Sequence, residues 1–238
     1  SHRVLAVFRG VKERSLTVSI APPISLSLEH LYKLFVKRTG EAAGQVEEAI
    51  QDAYKRLLRP SIETEVRNAI KLNAEKISIE VFAQNVEQLL LSPPLGRKRI
   101  MAIDPGFRTG CKLACLGEQG QVLSVETIFP LFGIEEASKA SSRVISLIAS
   151  YGIDAIAVGN GTGGKETEAF LKNLDLQIPV ISVNESGASV YSASLVARSE
   201  FPDLDITLRS AISIGRRLLD PLSELVKLDP RSIGVGQY

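Results

Sequence analysis

Two acidic residues in this 238-residue chain stand where an α/β protein could carry out chemistry. Asp104 follows the apolar run 100–103, and Glu185 follows a second short segment, 180–183, that is apolar except for Ser182. Both runs have the length of a short strand, and α/β sheets usually bind ligands at the carboxyl ends of their strands. If the two strands are adjacent, the carboxylates could share a Mg²⁺ or Mn²⁺ ion, as two-metal phosphodiester chemistry requires.

Each acid also has an ordinary structural explanation. Asp104 begins an Asp-Pro-Gly sequence that is typical of a turn, and Glu185 precedes a predicted helix start, where acids are favoured. Spacing alone therefore leaves both explanations open. We expect no required cofactor, with Mg²⁺ or Mn²⁺ as the ions that the pair could use.

The stretch 155–167 resembles a phosphate-binding P-loop, with a strand, several glycines, Lys165 and a helix in that order. A P-loop needs Ser or Thr directly after the lysine, because that hydroxyl binds Mg²⁺. Glu166 takes this position and would repel phosphates, so nucleotide hydrolysis is not expected. The glycines still allow a ligand to approach the backbone, and we predict nucleic-acid contacts at Gly161 and Thr162 near the helix N-terminus.

Basic residues cluster near these loops. Lys and Arg number 28 against 27 Asp and Glu, so the formal charge of +1 lacks the positive field of a dedicated nucleic-acid binder. Single surface charges mostly only keep a protein solvated, and binding would depend on local groups. The predicted phosphate contacts are Arg108, Lys112 and Lys165, with 97–99 and 216–217 as further basic groups near the same edge.

Composition excludes several enzyme classes. His2 and His30 are too few and poorly placed for a Ser-His-Asp or Cys-His mechanism or for a zinc site. Cys111 and Cys115 lie too far apart on one predicted strand for a disulfide, so reduced core thiols are expected. No apolar run approaches the ~18 residues of a membrane helix, and no signal peptide opens the chain. We expect a cytoplasmic protein without membrane contacts.

Residues 1–26 contain two short apolar segments, 4–8 and 16–20, that predict a β-hairpin. Two strands alone are only marginally stable, so we expect the chain to be a fragment whose natural strand partners lie outside it. Residues 27–96 are predicted to form an all-helical scaffold. Its expected helices are 27–39 capped by Ser27, 45–59 ended by Pro60, and a third that Ser61 caps and that ends near residue 91.

The periodicity changes after residue 96. Short strands are predicted at 99–104, 110–116, 122–129, 155–158 and 180–183. Helices are predicted at 135–151, 166–173, 188–199 and 208–225. This order predicts an α/β domain with a mixed five-stranded sheet and helices on both faces, which is the order of elements in an RNase H-like domain.

Several strings of residues resemble the Tex family of bacterial transcription accessory proteins. The longest are 101–110 (MAIDPGFRTG) and 183–193 (VNESGASVYSA), with VGNGT at 158–162 between them. Matching strings also occur at 60–67, 216–227 and 232–238, so the resemblance covers nearly the whole chain.

The resemblance implies that residues 97–222 form a YqgF-type, RNase H-like domain related in fold to the RuvC resolvases. The helices before it would belong to a central scaffold, and 223–238 would lead into a helix-hairpin-helix module outside this chain. Family members continue into an OB-type RNA-binding domain and are thought to bind nucleic acid and act in transcription. The implied partners are therefore RNA or DNA and the transcription machinery.

The resemblance also implies that Asp104 and Glu185 match two catalytic carboxylates of RuvC-like nucleases. Those nucleases place a third near the start of the last helix, where residues 207–213 contain none. Losing one of three ligands should weaken metal binding. We therefore predict a binding and scaffold module with a vestigial site.

The alternative is a metal-dependent nuclease that recruits Asp205 or Asp220 as its third ligand. A position of either carboxylate close to Asp104 would support that enzyme, because metal–oxygen bonds are short. If Arg209 instead fills the gap and pairs with a carboxylate, it replaces the metal's charge and the nuclease hypothesis fails.

Overall fold

A computed structural model describes residues 1–37 and 39–233 and divides the chain into two units, 1–82 and 83 onward. The first unit is helical, and the second contains a mixed β-sheet. The predicted lead-in at 223–238 is described as far as residue 233, and its last five residues lie outside the described residues. In the described ranges, no helix has both the length and the apolar character needed to cross a bilayer.

The helical elements at the start of the chain are more continuous than the sequence suggests. They are α1 (His2–Lys12), α2 (Ile24–Phe35), α3 (Glu41–Ala53), a π-helical turn (Tyr54–Leu58) and α4 (Arg59–Leu90).

The hairpin predicted within 1–26 is wrong, because its first segment lies inside α1. Val4, Phe8 and Val11 are half-buried at spacings of four and three residues, which is the periodicity of a helix and not of a strand. The second segment, 16–20, has no strand partner among the described residues. Side chains of α4 hold its backbone instead.

The predicted helix end at Pro60 and the predicted caps at Ser27 and Ser61 are also wrong. Proline lacks an N–H and its ring crowds the carbonyl four residues earlier, which usually breaks a helix. Here the π-helical turn directly before Arg59 widens the backbone, and the helix continues through Pro60. Ser27 lies inside α2, where its hydroxyl donates to the Pro23 carbonyl at 3.1 Å.

The five predicted strands are confirmed. They are β1 (Ile100–Asp104), β2 (Cys111–Leu116), β3 (Val122–Ile128), β4 (Ala155–Gly159) and β5 (Val180–Val183). The sheet order is β3-β2-β1-β4-β5, with antiparallel pairing among the first three strands and parallel pairing of β4 with β1 and β5. This is the RNase H-like arrangement that the order of elements predicts.

Two of the predicted helices are divided. The helices of the second unit are α5 (Ile134–Tyr151), α6 (Gly164–Lys172), α7 (Ala188–Ala193), α8 (Leu195–Glu200), α9 (Ile206–Leu219) and α10 (Pro221–Leu225). Ser194 separates α7 from α8 and caps α8 by accepting from the Ala197 N–H at 3.1 Å. Asp220 and Pro221 separate α9 from α10, because an aspartate cap followed by proline starts a new helix.

The two faces of the sheet have separate cores. Along β1, Met101 and Ile103 pack on the side of α5 and α6, whereas Ile100 and Ala102 pack on the side of α9. A Cβ added at Gly215 of α9 would lie 2.8 Å from the Ala102 Cβ, so only glycine permits this close approach. Helices therefore cover both faces, and the strand ends remain as the accessible edges of the sheet.

The two cysteines are buried in β2 with free thiols, as predicted. Burial is the main reason that the pKa of the Cys115 thiol rises to about 12. A thiol that stays protonated is a poor nucleophile, so Cys115 acts as part of the core.

A partly buried ionic network joins the helices on the α9 side. Glu200, the last residue of α8, accepts hydrogen bonds from the Tyr191 hydroxyl at 2.8 Å and from Arg216, and pairs with Lys227 at 2.9 Å. Lys227 also pairs with the buried Glu224 at 2.8 Å. Burial raises the pKa of Glu200, but its hydrogen bonds with Lys227, Tyr191 and Arg216 together bring that pKa below its ordinary value.

We expect Glu200→Gln to lower the free energy of unfolding by about 1–3 kcal/mol at pH 7, because Arg216 loses its anion and Lys227 loses one of its two in a poorly solvated place. Because the pKa of Glu200 is lower in the folded than in the unfolded chain, its carboxylate stabilises the fold at any pH above the unfolded pKa. This contribution is lost as pH falls through the folded pKa. The difference between variant and parent should therefore shrink toward pH 3. Urea unfolding followed by circular dichroism measures both values.

The matched control is Glu135→Gln, which breaks an exposed pair with Lys139 on α5. Its expected cost is below about 0.5 kcal/mol. Equal losses for the two variants would contradict a stabilising role for the network.

Candidate functional site

Strands β1, β4 and β5 run parallel and end at one edge of the sheet, which we name the carboxyl edge. β2 begins and β3 ends at the same edge, because Asp104 pairs with Lys112 and Cys111 pairs with Ile128. Asp104 and the loop that carries Glu185 therefore meet at this edge. Their strands are not adjacent, however, since β4 lies between β1 and β5.

Asp104 is half-buried at the end of β1. Burial has the largest effect on its carboxyl and raises its pKa. A hydrogen bond with the Ser210 side chain and the positive charge of Lys112 lower the pKa, but they do not offset the burial. This carboxyl therefore holds its proton more tightly than an exposed aspartate.

The Glu185 carboxylate covers the glycine-rich loop that follows β4. A Cβ added at Gly159 or Gly161 would overlap its oxygens, so the absence of side chains there makes room for it. Burial first, and the negative charge of Asp104 second, raise the pKa of Glu185, while the Gly161 N–H and Arg217 lower it. Its Oε2 is buried and has no hydrogen-bond partner among the described residues. Asp104 is therefore close enough to disfavour the ionisation of Glu185.

Asn160 fixes the loop after β5 against the loop after β4. Its backbone N–H donates to the Val183 carbonyl at 3.0 Å, and its side-chain oxygen accepts from the Glu185 N–H at 3.2 Å. Sequence reasoning missed this role. The residue stands inside the string at 158–162, but nothing in that string indicates a partner in another loop.

A third carboxylate does not join the pair. Across the described ranges, no three or more His, Cys, Asp or Glu side chains form a group that could hold a metal ion. Ser210 of α9 lies beside Asp104, where it supplies a hydroxyl. Asp205 uses its carboxylate to cap α9. Asp220 caps α10 and lines a cavity together with the turn 118–120, which lies at the edge of the sheet opposite the carboxyl edge.

Two basic residues near the pair are held by backbone carbonyls. Arg209 is buried and donates to the carbonyls of Ser192 and Pro202, both at 3.4 Å, so it makes no pair with either carboxylate. Lys112 is also buried, and its Nζ donates to both carbonyls of the loop 109–110. Lys112 is therefore not presented to solvent as a phosphate-binding lysine would be.

The other residues predicted to contact nucleic acid are accessible at the carboxyl edge. Arg108, Lys165 and Thr162 are exposed, and Gly161 is half-buried beneath the Glu185 carboxylate. α6 begins at Gly164 without a side-chain cap. The Gly164 N–H donates to the Gly161 carbonyl at 3.0 Å, so a ligand would approach the exposed residues that follow it, Lys165 and Glu166.

The prediction for the remaining basic groups is wrong for 97–99 and Arg216, which do not lie at this edge, whereas Arg217 does lie there, buried beneath the loop that carries Glu185. Residues 97–99 precede β1 and thus lie at the opposite edge, where Arg216 donates to the Gly120 carbonyl at 3.0 Å. Arg217 is buried and donates to carbonyls within 184–186. The sequence positions of these basic residues do not show at which end of the strands their side chains lie.

Two family models match the chain. The model described as the Tex protein YqgF-like domain matches residues 98–219, about half of the chain. The model described as Tex central region-like matches residues 1–82.

Curated proteins from bacteria and animals are similar over the full chain. YdcI of Bacillus subtilis is 46% identical, the transcriptional accessory protein Tex of Neisseria gonorrhoeae is 38% identical, and human S1 RNA-binding domain-containing protein 1 is 34% identical. These alignments cover 100% of this chain but 34%, 32% and 25% of the respective relatives, so the chain spans about a third or less of their length. A solved structure of T. thermophilus RuvC in complex with a Holliday junction substrate is similar over 54% of this chain and 95% of that chain, with 15% identity and a TM-score of 0.39.

The glycines of the loop after β4 should differ in their tolerance of alanine. A Cβ at Gly164 would lie 2.5 Å from the Gly159 backbone oxygen, which cannot move without displacing β4, so we expect Gly164→Ala to cost about 1–3 kcal/mol of stability. The three atoms nearest a Cβ at Gly161 all belong to the carboxyl group of Glu185, which can turn aside, so Gly161→Ala should cost less. Urea unfolding of both variants compares the costs. A larger loss for Gly161→Ala would contradict this account of the loop.

The raised pKa of Glu185 predicts a gain of stability on neutralising it. The folded state binds this proton more tightly than the unfolded state, so stability falls as pH rises from the unfolded pKa through the folded pKa. Glu185→Gln keeps an oxygen for the Gly161 N–H and should raise the free energy of unfolding by about 1 kcal/mol at pH 8. The gain should vanish near pH 4.

Glu166→Gln is the matched control for that measurement. Glu166 is an exposed acid in the first turn of α6, where a negative charge favours the helix N-terminus, so its removal should lower stability slightly at pH 8. A loss of stability at pH 8 in Glu185→Gln would show that its ionised form stabilises the fold.

Proposed function

This chain belongs to the Tex family, and from that premise we propose that its RNase H-like domain binds nucleic acid as a module of a cytoplasmic, transcription-associated protein. We propose further that the domain acts by binding and positioning, without nuclease chemistry. One relative is named a transcriptional accessory protein and another an S1 RNA-binding domain-containing protein. Those names describe whole relatives, of which this chain spans a third or less. They support the part of the proposal that concerns transcription and nucleic acid.

The position of Ser210 is the observation that carries the proposal. Two-metal phosphodiester cleavage needs carboxylates that bridge and bracket both ions. Asp104 and Glu185 meet at the carboxyl edge, but the side chain that lies beside Asp104 from α9 is the hydroxyl of Ser210 and not a third acid. Asp205 and Asp220 are both engaged as helix caps. The residues present therefore do not fit a two-metal centre, and we derive no step that uses a metal ion.

The proposed binding surface consists of the exposed loops at the carboxyl edge. Arg108 and Lys165 would contact phosphates, and Thr162 with the exposed first turn of α6 would lie beside them. Gly161 would let a ligand approach the backbone closely, although its own N–H is bonded to Glu185. Lys112 is left out of this surface because its Nζ is bound to loop carbonyls. Two phosphate contacts predict weak binding with a shallow dependence on salt.

A gel-shift experiment in the presence of Mn²⁺ tests binding and cleavage together. Labelled single-stranded RNA, duplex DNA and branched DNA are each incubated with the chain and with its Asp104→Asn variant. We expect a shift without cleavage, and the same shift for the variant. Cleavage that disappears in Asp104→Asn would establish a nuclease and overturn the proposal. A chain that shifts none of the three nucleic acids would also overturn it.

The role of Lys165 can be isolated with a control on the same helix. Lys165→Ala removes a cation at the carboxyl edge, whereas Lys172→Ala removes one from the far end of α6, where it pairs with Glu168. We expect Lys165→Ala to reduce the slope of log affinity against log salt by about 0.7–0.9, the value for one phosphate contact, and Lys172→Ala to leave it unchanged. Fluorescence anisotropy at several salt concentrations measures both slopes. Equal slopes for parent and Lys165→Ala would remove this lysine from the surface.

A further inference from the structure

Exposed phenylalanine rings concentrate at the carboxyl edge. The chain contains eight phenylalanines and no tryptophan. Phe107, Phe129 and Phe132 are 45%, 36% and 46% exposed, and all three lie in loops that leave this edge. The other strongly exposed ring, Phe35, belongs to α2 and is 62% exposed. Exposed aromatic rings beside a polar site need a reason, because each costs free energy in water.

Two of the three rings lie against glycines, and the third packs on one of those two rings. A Cβ at Gly163 would lie 3.4 Å from Phe107, and a Cβ at Gly110 would lie 2.6 Å from Phe129. Phe129 and Phe132 form an edge-to-face pair with their centroids 5.2 Å apart. Loops that need glycine at these points therefore present the rings in fixed positions.

The rings share one side of the edge with the predicted phosphate contacts. The loop with Phe129 and Phe132 leads into α5, the loop with Gly163 leads into α6, and both helices cover the same face of the sheet. The strands β3 and β4 are three strand spacings apart, about 14 Å. This length is sufficient for several nucleotides of one strand.

Charge alone would hold an anionic polymer only weakly here. Arg108 and Lys165 are opposed by the exposed Glu166 and by the two acids of the site. Flat rings next to a few cations are the arrangement that binds single-stranded nucleic acid, because its bases can stack on rings while its phosphates contact the cations. A duplex keeps its bases stacked inside and offers phosphates without base faces. An apolar protein partner would gain nothing from the uncapped N-terminus of α6.

Resting on the proposed function, we propose that the carboxyl edge binds single-stranded nucleic acid by stacking bases on Phe107, with Phe129 and Phe132 extending the aromatic surface. Arg108 and Lys165 contact the phosphates on either side of the stacked bases. Recognition by stacking tolerates any base sequence, because every base has a flat face.

The absence of tryptophan allows a direct test with one reporter. Phe107→Trp places the only tryptophan of the chain on the proposed surface, and Phe35→Trp places one at an exposed phenylalanine of the helical unit as the matched control. Each is titrated with a 12-nucleotide uridine strand, a duplex of the same length, and a 12-mer that has the same phosphates but abasic sugars. We expect the single strand to quench the fluorescence of Phe107→Trp and to leave that of Phe35→Trp unchanged.

Affinity is measured in parallel by anisotropy of the labelled single strand. Phe107→Ala should weaken binding about 5- to 150-fold, the loss expected for one stacked base, without changing the salt slope. Phe107→Tyr should restore it. The abasic strand and the duplex should both bind more weakly than the uridine strand.

The outcomes separate this inference from the proposed function. If the single strand binds the parent but Phe107→Ala binds equally well, or if the abasic strand or the duplex binds as tightly, base stacking is overturned and nucleic-acid binding remains. If none of the nucleic acids binds the parent, the proposed function itself fails, and the exposed rings would then indicate a protein partner.

Discussion

The parallel pairing of β4 with both β1 and β5 decides where the polar groups of the α/β unit lie. Parallel strands end at the same edge, so this pairing gathers Asp104, the loop 159–163 and Glu185 from distant parts of the chain. Each parallel pair needs a crossover connection, and the helices α5 and α6 supply both on one face. Because α9 covers the other face closely at Gly215, the carboxyl edge is left as a place where polar loops meet.

Two acids that repel each other at this edge are tolerated because neutral and cationic groups surround them. The Ser210 hydroxyl and Lys112 act on Asp104, and the Gly161 N–H acts on Glu185. These contacts do not remove the whole cost, which remains visible as a raised pKa for both carboxyls. The same contacts connect β1, α9 and the loops after β4 and β5.

Strand positions could be predicted from the sequence, whereas contacts between loops could not. The buried runs at 100–103 and 155–158 are apolar throughout, the run at 180–183 is apolar except for Ser182, and short runs of this kind between turn signals favour strands. The segment 4–8 was ambiguous, since a short apolar run suits a helix equally well. The helix end predicted at Pro60 was wrong for a different reason. A π-helical turn lets the helix continue through the proline, and nothing in the composition indicates such a turn. Lys112 was a plausible phosphate ligand until the loop carbonyls that bind its Nζ were located.

The proton affinity of the acid pair bears on what the carboxyl edge can recognise. Two fully ionised carboxylates would repel a phosphate backbone, and only two exposed cations oppose them. Burial raises the pKa of both Asp104 and Glu185, so each takes up a proton more readily than an exposed acid, and a protonated carboxyl does not repel a phosphate. Under the proposed function, recognition then depends less on charge than on groups that bind neutral parts of a nucleotide. The backbone of the glycine-rich loop and the ring of Phe107 beside it are such groups, which is why stacking and not charge should set the affinity.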